Sequence, residues 1–338
     1  MATTQTLNDP TLLRARDRHI RRLEGVLVGE RPDAAVFLQG VNGAGKADPY
    51  TEPEQWVEQA LADLAARAEA LRDSAVFRPL CLEFNPYGVH FIDRMFGARV
   101  WRHAEQWWSD PLATPVGELA PPDLERDETW HLARRIAEAF LAAGVAVPLF
   151  GLPTIASALN VAVNLYDEEF LVALAERPAA ARRDLGVINA LLCHLHRWYR
   201  RRIPAEQLQP VVAAQRCQPP GFGQLCGCTT HLLSAAMYRE FVAAVDDELL
   251  SVYPNGGMIH LCGDHLRHAA AWREMKSLRA IQVNDRAAED LPAWLEQLRD
   301  DQVIYLNPTR TMTSQRALDL AAGQRLVIVS EPSAVAGG

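Results

Sequence analysis

Residues 257–263 hold an imidazole and a thiol two positions apart, at His260 and Cys262. Side chains alternate between the two faces of a β-strand, so His260 and Cys262 would share one face while Leu261 points to the other. Imidazole nitrogen and thiolate sulfur are ligands that zinc prefers, and a catalytic zinc site keeps one coordination position open. The spacing therefore predicts a metal site. A buried histidine beside an inert core cysteine is the alternative interpretation.

A second group of soft ligands consists of Cys226, Cys228 and His231. Two cysteines separated by one residue do not match a closed zinc knuckle, in which the paired cysteines lie two to four residues apart. Packing within a loop is one interpretation of this pair. The other is that one of the two thiols approaches His260 as a further ligand.

The glycine-rich loop at residues 40–46 has nearly the spacing of a phosphate-binding loop. Ala47 stands where a hydroxyl would be needed for magnesium, and Pro49 and Pro53 prevent a helix from starting directly behind Lys46. We therefore interpret these residues as a flexible loop beside a substrate rather than as a nucleotide site.

Apolar segments of strand length alternate with amphipathic helices along the chain, after a first helix at residues 9–27. Continuous apolar strands that alternate with helices indicate a parallel sheet covered on both faces. The order predicts an α/β fold, a (β/α)8 TIM barrel of eight parallel strands with an N-terminal helix before the first strand. The predicted strands lie near residues 34–38, 80–84, 145–150, 211–218, 258–262, 280–283, 303–306 and 326–330.

We expect a single domain over residues 1–338, with a helical extension at 1–30 and the barrel at 31–331. In such barrels the working residues lie at the C-terminal ends of the strands. Glu83, Asp285 and Asn307 follow predicted strands and are candidates for acid/base catalysis or substrate contacts. Capping of a loop is the alternative for Glu83 and Asp285.

The composition excludes several classes of partner. The net charge is −8, and basic residues form no extended face, so we expect no nucleic-acid binding. No stretch has the roughly 18 apolar residues that span a bilayer, and residues 1–10 lack a signal-peptide core, so we expect a cytoplasmic protein that acts on a small molecule. Trp101, Trp107 and Trp108 fit the core or the interface of a homodimer.

Two motifs resemble the uroporphyrinogen decarboxylase superfamily. Residues 232–241, LLSAAMYREF, resemble its LSP-x-x-Y-R-E-F signature with Ala235 in the proline position, and GMIHLCG at residues 257–263 follows as in that family. GLPT at residues 151–154 resembles the G-x-P-x-T turn of the family. The resemblance extends over residues 23–330, and the H-x-C strand is similar to that of the corrinoid-dependent methyltransferases.

That branch implies a zinc ion held by His260, Cys262 and a cysteine of the last strand. Zinc would hold an acceptor thiol as thiolate, ready to take a methyl group from a corrinoid that is either a substrate or bound to a partner protein. The last predicted strand has no cysteine. Glu331, Cys226 or Cys228 would then have to complete the ligand set.

The sequence thus favours a zinc-dependent methyl or C1 transferase of the corrinoid methyltransferase type. A metal-free lyase of porphyrin metabolism, similar to uroporphyrinogen decarboxylase, is the first alternative. Against it, residues 38–42 read LQGVN where those decarboxylases have R-Q-A-G-R, so the arginines that pair with substrate propionates are absent. A non-catalytic barrel that binds a corrinoid or a tetrapyrrole is the second alternative.

Overall fold

A computed structural model describes residues 2–29, 35–210, 212–322 and 325–330. The helix Pro10–Val28 confirms the helix predicted before the first strand. Asp9 caps its N-terminus by accepting the amide hydrogen of Thr11, with 2.6 Å between nitrogen and oxygen, and Gly29 ends it in the left-handed region at φ 79°. A short helix, Ala2–Leu7, precedes it.

Nearly all strands belong to two parallel sheets, which confirms an α/β fold with parallel strands. The larger sheet has seven strands, in the order Val76–Phe77, Val36–Leu38, Leu326–Ile328, Val303–Leu306, Leu278–Asn284, Gly257–Cys262 and Gly223–Cys226. The smaller sheet has four strands, in the order Val41–Asn42, Leu80–Leu82, Leu149–Gly151 and Leu208–Gln209.

The two sheets are connected through two interrupted strands. The chain passes from Val36–Leu38 to Val41–Asn42 and from Val76–Phe77 to Leu80–Leu82 with two residues between the segments in each case. The amide of Gln39 donates to the carbonyl of Phe77 at 3.0 Å and that of Val41 to Pro79 at 2.8 Å, so the ladder continues across both breaks. At the other edge, no ladder within the described residues joins Leu208–Gln209 to Gly223–Cys226.

The prediction of a single irregular strand near residues 211–218 is wrong. The short helix Ala213–Arg216 lies there, and the strands Leu208–Gln209 and Gly223–Cys226 flank it. The carboxylate of Glu83 accepts the backbone amides of Ala213 and Ala214, so a tertiary contact stabilises a helical turn where the apolar sequence favours a strand. The structure therefore has more strands than the predicted eight.

The longer helices lie close to the predicted ones, with two additional helices before residue 178. Their bounds are Pro53–Ala66, Glu128–Ala142, Ala158–Tyr166, Glu168–Glu176, Pro178–Arg202, Ala243–Ser251, Ala269–Glu274, Leu291–Gln297 and Ser314–Ala321. Each contributes buried apolar residues to one hydrophobic core. Within the described parts of the chain, every helix is too short or too polar to cross a lipid bilayer.

The predicted flexible glycine loop packs against the helix Pro53–Ala66. The amide of Ala44 donates to Oδ2 of Asp63 at 3.0 Å, and the amides of Lys46 and Ala47 donate to Oε1 of Gln59 at 2.6 and 2.8 Å. Amides that would have to face a phosphate therefore bind side chains of the protein itself.

The tryptophans predicted for a core or an interface form a hairpin at the surface. Val100–His103 pairs antiparallel with Gln106–Ser109, and the rings of Trp101 and Trp108 stack across it, 36% and 47% exposed. Trp107 points inward and contacts the ring of Tyr50.

Candidate metal centre

His260 and Cys262 project from the C-terminal end of the strand Gly257–Cys262 toward the same side. The two side chains are close enough for the His260 ring to lower the pKa of the Cys262 thiol, whereas Leu261 between them is fully buried. His260 is 8% exposed and Cys262 is partly exposed. The alternation expected of a strand thus brings this imidazole and this thiol together.

Cys226 and Cys228 belong to the same cluster. The strand Gly223–Cys226 pairs parallel with Gly257–Cys262, and Cys226 lies opposite His260. The ligand atoms of Cys226, Cys228 and His260 all lie within 4.8 Å of one another. The sulfur atoms of Cys228 and Cys262 are 2.7 Å apart. Cys226, Cys228 and His260 therefore form a group that could hold a metal ion, and Cys262 contacts this group through Cys228. Two of the three candidates for completing the ligand set, Cys226 and Cys228, are thus in place; Glu331 lies outside the described residues.

Gly227 allows the two cysteines to approach the histidine strand this closely. Its amide donates to the carbonyl of His260 at 2.7 Å. A Cβ atom at this position would lie 2.5 Å from Cγ2 of Ile259 and 2.9 Å from Cδ2 of Leu261, both below van der Waals contact. The glycine between the cysteines is thus required by the distance between the segments.

Interactions within the cluster change the acidity of its thiols. The contact with Cys228 and the hydrogen bond with His260 lower the pKa of Cys262 to about 4. The hydrogen bond with Cys228 lowers the pKa of Cys226 to about 6. The pKa of Cys228 is raised, because its proton is shared with both neighbouring sulfurs. The lowered pKa values of Cys226 and Cys262 favour the thiolate, the form in which cysteine binds metals.

Gln282 orients the His260 ring. It lies opposite His260 on the neighbouring strand, is fully buried, and its Oε1 accepts the hydrogen of Nδ1. Its Nε2 donates to Oδ1 of Asn307 at 2.6 Å and to Oδ1 of Asn284. With Nδ1 protonated, Nε2 of the imidazole is left with its lone pair available to an ion, an arrangement typical of metal-binding histidines.

Replacing Gln282 with leucine should therefore lower zinc affinity by about 10- to 100-fold, the usual cost of losing an outer partner of a metal ligand. Gln224→Leu is the matched control, because Gln224 is equally buried on the adjacent strand and its amide atoms have no hydrogen-bond partner in the described residues. Competition with a zinc chelator measures both affinities. Equal affinities of the two variants would show that Gln282 does not position the ligand.

The structure gives the three predicted strand-end residues different surroundings. Asn307 contacts the cluster through Gln282, as described above. Asp285 is exposed, adopts φ 46°, and is not among the residues that line the cavity beside the cluster. Glu83 is 8% exposed, and Oε1 accepts the amides of Ala213 and Ala214. Burial raises the pKa of Glu83 to about 7.

A cavity of about 420 Å³ opens beside the cluster. Cys226, Cys228 and His260 line one side of it, and Arg216 lines it as well. The remaining lining is mostly apolar with a few amides and one hydroxyl, and comprises Asn85, Gly88, Val89, Pro153, Thr154, Ile155, Ala156, Asn160, Asn164 and Val212. A small molecule in this space would contact the sulfur and nitrogen ligands directly.

Two residues of this site were missed from sequence, Gln282 and Arg216. Gln282 gives a usable signal, because it is a polar residue inside an otherwise apolar strand, AIQV at residues 280–283. Arg216 gives none, since its segment was interpreted as a strand and its burial depends on contacts with distant residues.

The fold is similar to that of a methyltransferase from Methanosarcina mazei, with a TM-score of 0.63, 14% sequence identity and coverage of 94% of both chains. At this identity the likeness shows the fold alone. No protein-family model and no curated protein matches the sequence. The fold is thus methyltransferase-like, and membership of the uroporphyrinogen decarboxylase superfamily stays a prediction.

Proposed function

We propose that this protein is a zinc-dependent methyltransferase that transfers a methyl group to a thiol. The observation that carries the proposal is the convergence of Cys226, Cys228 and His260 on one wall of a cavity, since three protein ligands leave the fourth position of a tetrahedral zinc ion open. A mixed sulfur and nitrogen donor set fits zinc, which binds thiolate and imidazole in tetrahedral sites. Bound there, zinc would lower the pKa of an acceptor thiol and hold it as the nucleophilic thiolate.

Residues in and around the cluster orient the His260 ring and favour the thiolate form of Cys226. Gln282 fixes the ring of His260 through Nδ1, so that Nε2 is the ligand atom. The interactions that lower the pKa of Cys226 favour its thiolate form, which is the form that binds a metal ion. The largely apolar lining of the cavity offers few hydrogen bonds to the reacting sulfur.

We further propose that the two parallel sheets belong to one closed barrel within a single domain over residues 1–338. The ladder that continues across the breaks after Leu38 and Phe77 supports this arrangement. The cluster lies at the C-terminal ends of Gly223–Cys226 and Gly257–Cys262, which is where barrel enzymes place their reacting groups.

A methylated corrinoid is proposed as the methyl donor, either free or bound to a partner protein. The support is the resemblance of the H-x-C segment together with an exposed apolar residue at the cavity, Val89, which is 68% exposed. In the transfer, the carbon to cobalt bond of the donor breaks, its electron pair stays on cobalt, and the acceptor sulfur forms the new bond to carbon.

Methylcobalamin and 2-mercaptoethanol, incubated with the zinc-loaded protein, test the proposal. We expect loss of the methylcobalamin spectrum and formation of the S-methyl product, with the rate reduced by at least about 100-fold in His260→Ala, as for loss of a group essential to the reaction. No rate above that of the buffer would contradict the proposal. Release of carbon dioxide from uroporphyrinogen would favour the lyase, and a bound corrinoid without turnover would favour the binding protein.

A further inference from the structure

Arg216 is a buried cation without a counter-ion in hydrogen-bonding contact. It is 7% exposed, and its Nε and Nη1 atoms are fully buried with no hydrogen-bond partner among the described residues. A guanidinium out of contact with water loses its hydration energy, and structures normally compensate such a group with an anion. Arg216 also lines the cavity beside the cysteine and histidine cluster.

The neighbouring carboxylate does not fill this role. Oε1 of Glu83 accepts the amides of Ala213 and Ala214, at the start of the helix that carries Arg216. Burial also raises the pKa of Glu83 to about 7, and this carboxyl group acts on Arg216 through space without a hydrogen bond to its buried Nε and Nη1 atoms. Glu83 thus fixes the backbone from which Arg216 extends, and leaves the guanidinium nitrogens to another partner.

The surroundings of Arg216 favour one negative charge rather than two. The guanidinium is a single cation, and the thiols of Cys226, Cys228 and Cys262 are near enough to act on it electrostatically. A dianionic phosphate would add repulsion from these sulfurs, whereas a carboxylate matches the charge of one guanidinium and its planar pair of donors. Asn85, Thr154 and Asn160 provide further hydrogen-bonding groups in the cavity.

We propose that the cavity binds a small organic acid whose single carboxylate pairs with Arg216. This inference depends on the proposed function in one respect, namely that the bound acid lies beside residues that hold a metal ion. The volume of about 420 Å³ fits a short-chain molecule, whose other end reaches the cluster.

Calorimetric titration with butyrate and with its neutral analogue butyramide tests this, using zinc-loaded protein and protein stripped with a chelator. We expect wild type to bind butyrate at least about tenfold more tightly than butyramide, as for a charged partner in a poorly hydrated site. In Arg216→Met the two affinities should become equal, with unchanged zinc content. Arg267→Met is the control, since Arg267 is exposed and its ion pair among the described residues is with Asp264.

Three results would overturn the assignment. In the first, Arg216→Met still binds butyrate more tightly than butyramide. In the second, wild type binds inorganic phosphate more tightly than butyrate. In the third, Arg216→Met binds less zinc but keeps the preference for butyrate, which would mean that Arg216 only balances the charge of the thiolates. The titrations of zinc-free protein test the role of Arg216 separately from the proposed function. A protein that binds no zinc would contradict the proposed function, and its affinities for butyrate and butyramide would still test Arg216.

If Arg216→Met does not fold, nitrogen-15 NMR of wild type replaces it. Butyrate should shift one arginine Nε–H signal, the one that is missing in Arg216→Lys. An unchanged arginine spectrum at saturating butyrate would overturn the proposal.

Discussion

Replacing Cys228 with alanine should lower the affinity of the protein for Zn²⁺ by more than about 100-fold, beyond the range expected for an outer partner. Cys228 occupies the middle of the cluster, since its sulfur lies 2.7 Å from that of Cys262 and within 4.8 Å of the ligand atoms of Cys226 and His260. Its removal takes away a ligand and also the thiol whose hydrogen bonds lower the pKa values of the other two cysteines. Competition with a chelator, under reducing conditions, measures the affinity.

Cys193→Ala is the matched control for this variant. Cys193 is 1% exposed in the helix Pro178–Arg202 and belongs to no group of metal-binding residues in the described chain. Its replacement should leave zinc affinity unchanged. If Cys228→Ala and Cys193→Ala bind zinc equally well, the cluster is not the zinc site.

Gly227→Ala should destabilise the protein by about 1–3 kcal/mol, the usual cost of overpacking, and should also lower zinc affinity by at least tenfold. The added methyl group would meet Ile259 at 2.5 Å and Leu261 at 2.9 Å, which forces the two cysteines away from His260. The backbone itself gives no obstacle, because φ is −101° at Gly227. Chemical denaturation gives the free energy of unfolding, and the chelator assay gives the affinity.

Gly186→Ala serves as the control for the glycine substitution. Gly186 is exposed in the helix Pro178–Arg202, and a Cβ atom there would meet nothing within 4 Å. Alanine should stabilise this position by about 0.5–1 kcal/mol through its higher helix propensity. A Gly227→Ala variant with the stability and zinc affinity of wild type would show that the two segments are not in close contact.

The parts of the fold that depend on local sequence could be predicted. The periodicity of apolar residues predicts a helix at residues 9–27 and a strand at 258–262, close to the observed Pro10–Val28 and Gly257–Cys262, because burial sets the pattern within each of these segments. The segment at residues 211–218 could not be predicted this way, since contacts of Ala213 and Ala214 with Glu83, 130 residues away, override its apolar character.

The candidate site was predictable only in part for the same reason. Alternation along one strand is enough to pair His260 with Cys262. The position of Cys226 beside them depends on the register between the strands Gly223–Cys226 and Gly257–Cys262, which places Cys226 opposite His260. The contribution of Gln282 depends on the register between the strands Gly257–Cys262 and Leu278–Asn284, which places it opposite His260. The role of Arg216 depends on the helix Ala213–Arg216, which the local sequence does not predict.

X-ray absorption at the zinc edge of purified, zinc-loaded protein tests the proposed metal centre most directly. We predict one equivalent of zinc with two or three sulfur neighbours at about 2.3 Å and one imidazole nitrogen at about 2.0 Å. The sulfur signal should weaken in Cys228→Ala. A zinc ion surrounded only by oxygen and nitrogen, or far less than one equivalent bound, would contradict the assignment of Cys226, Cys228 and His260 as a metal centre.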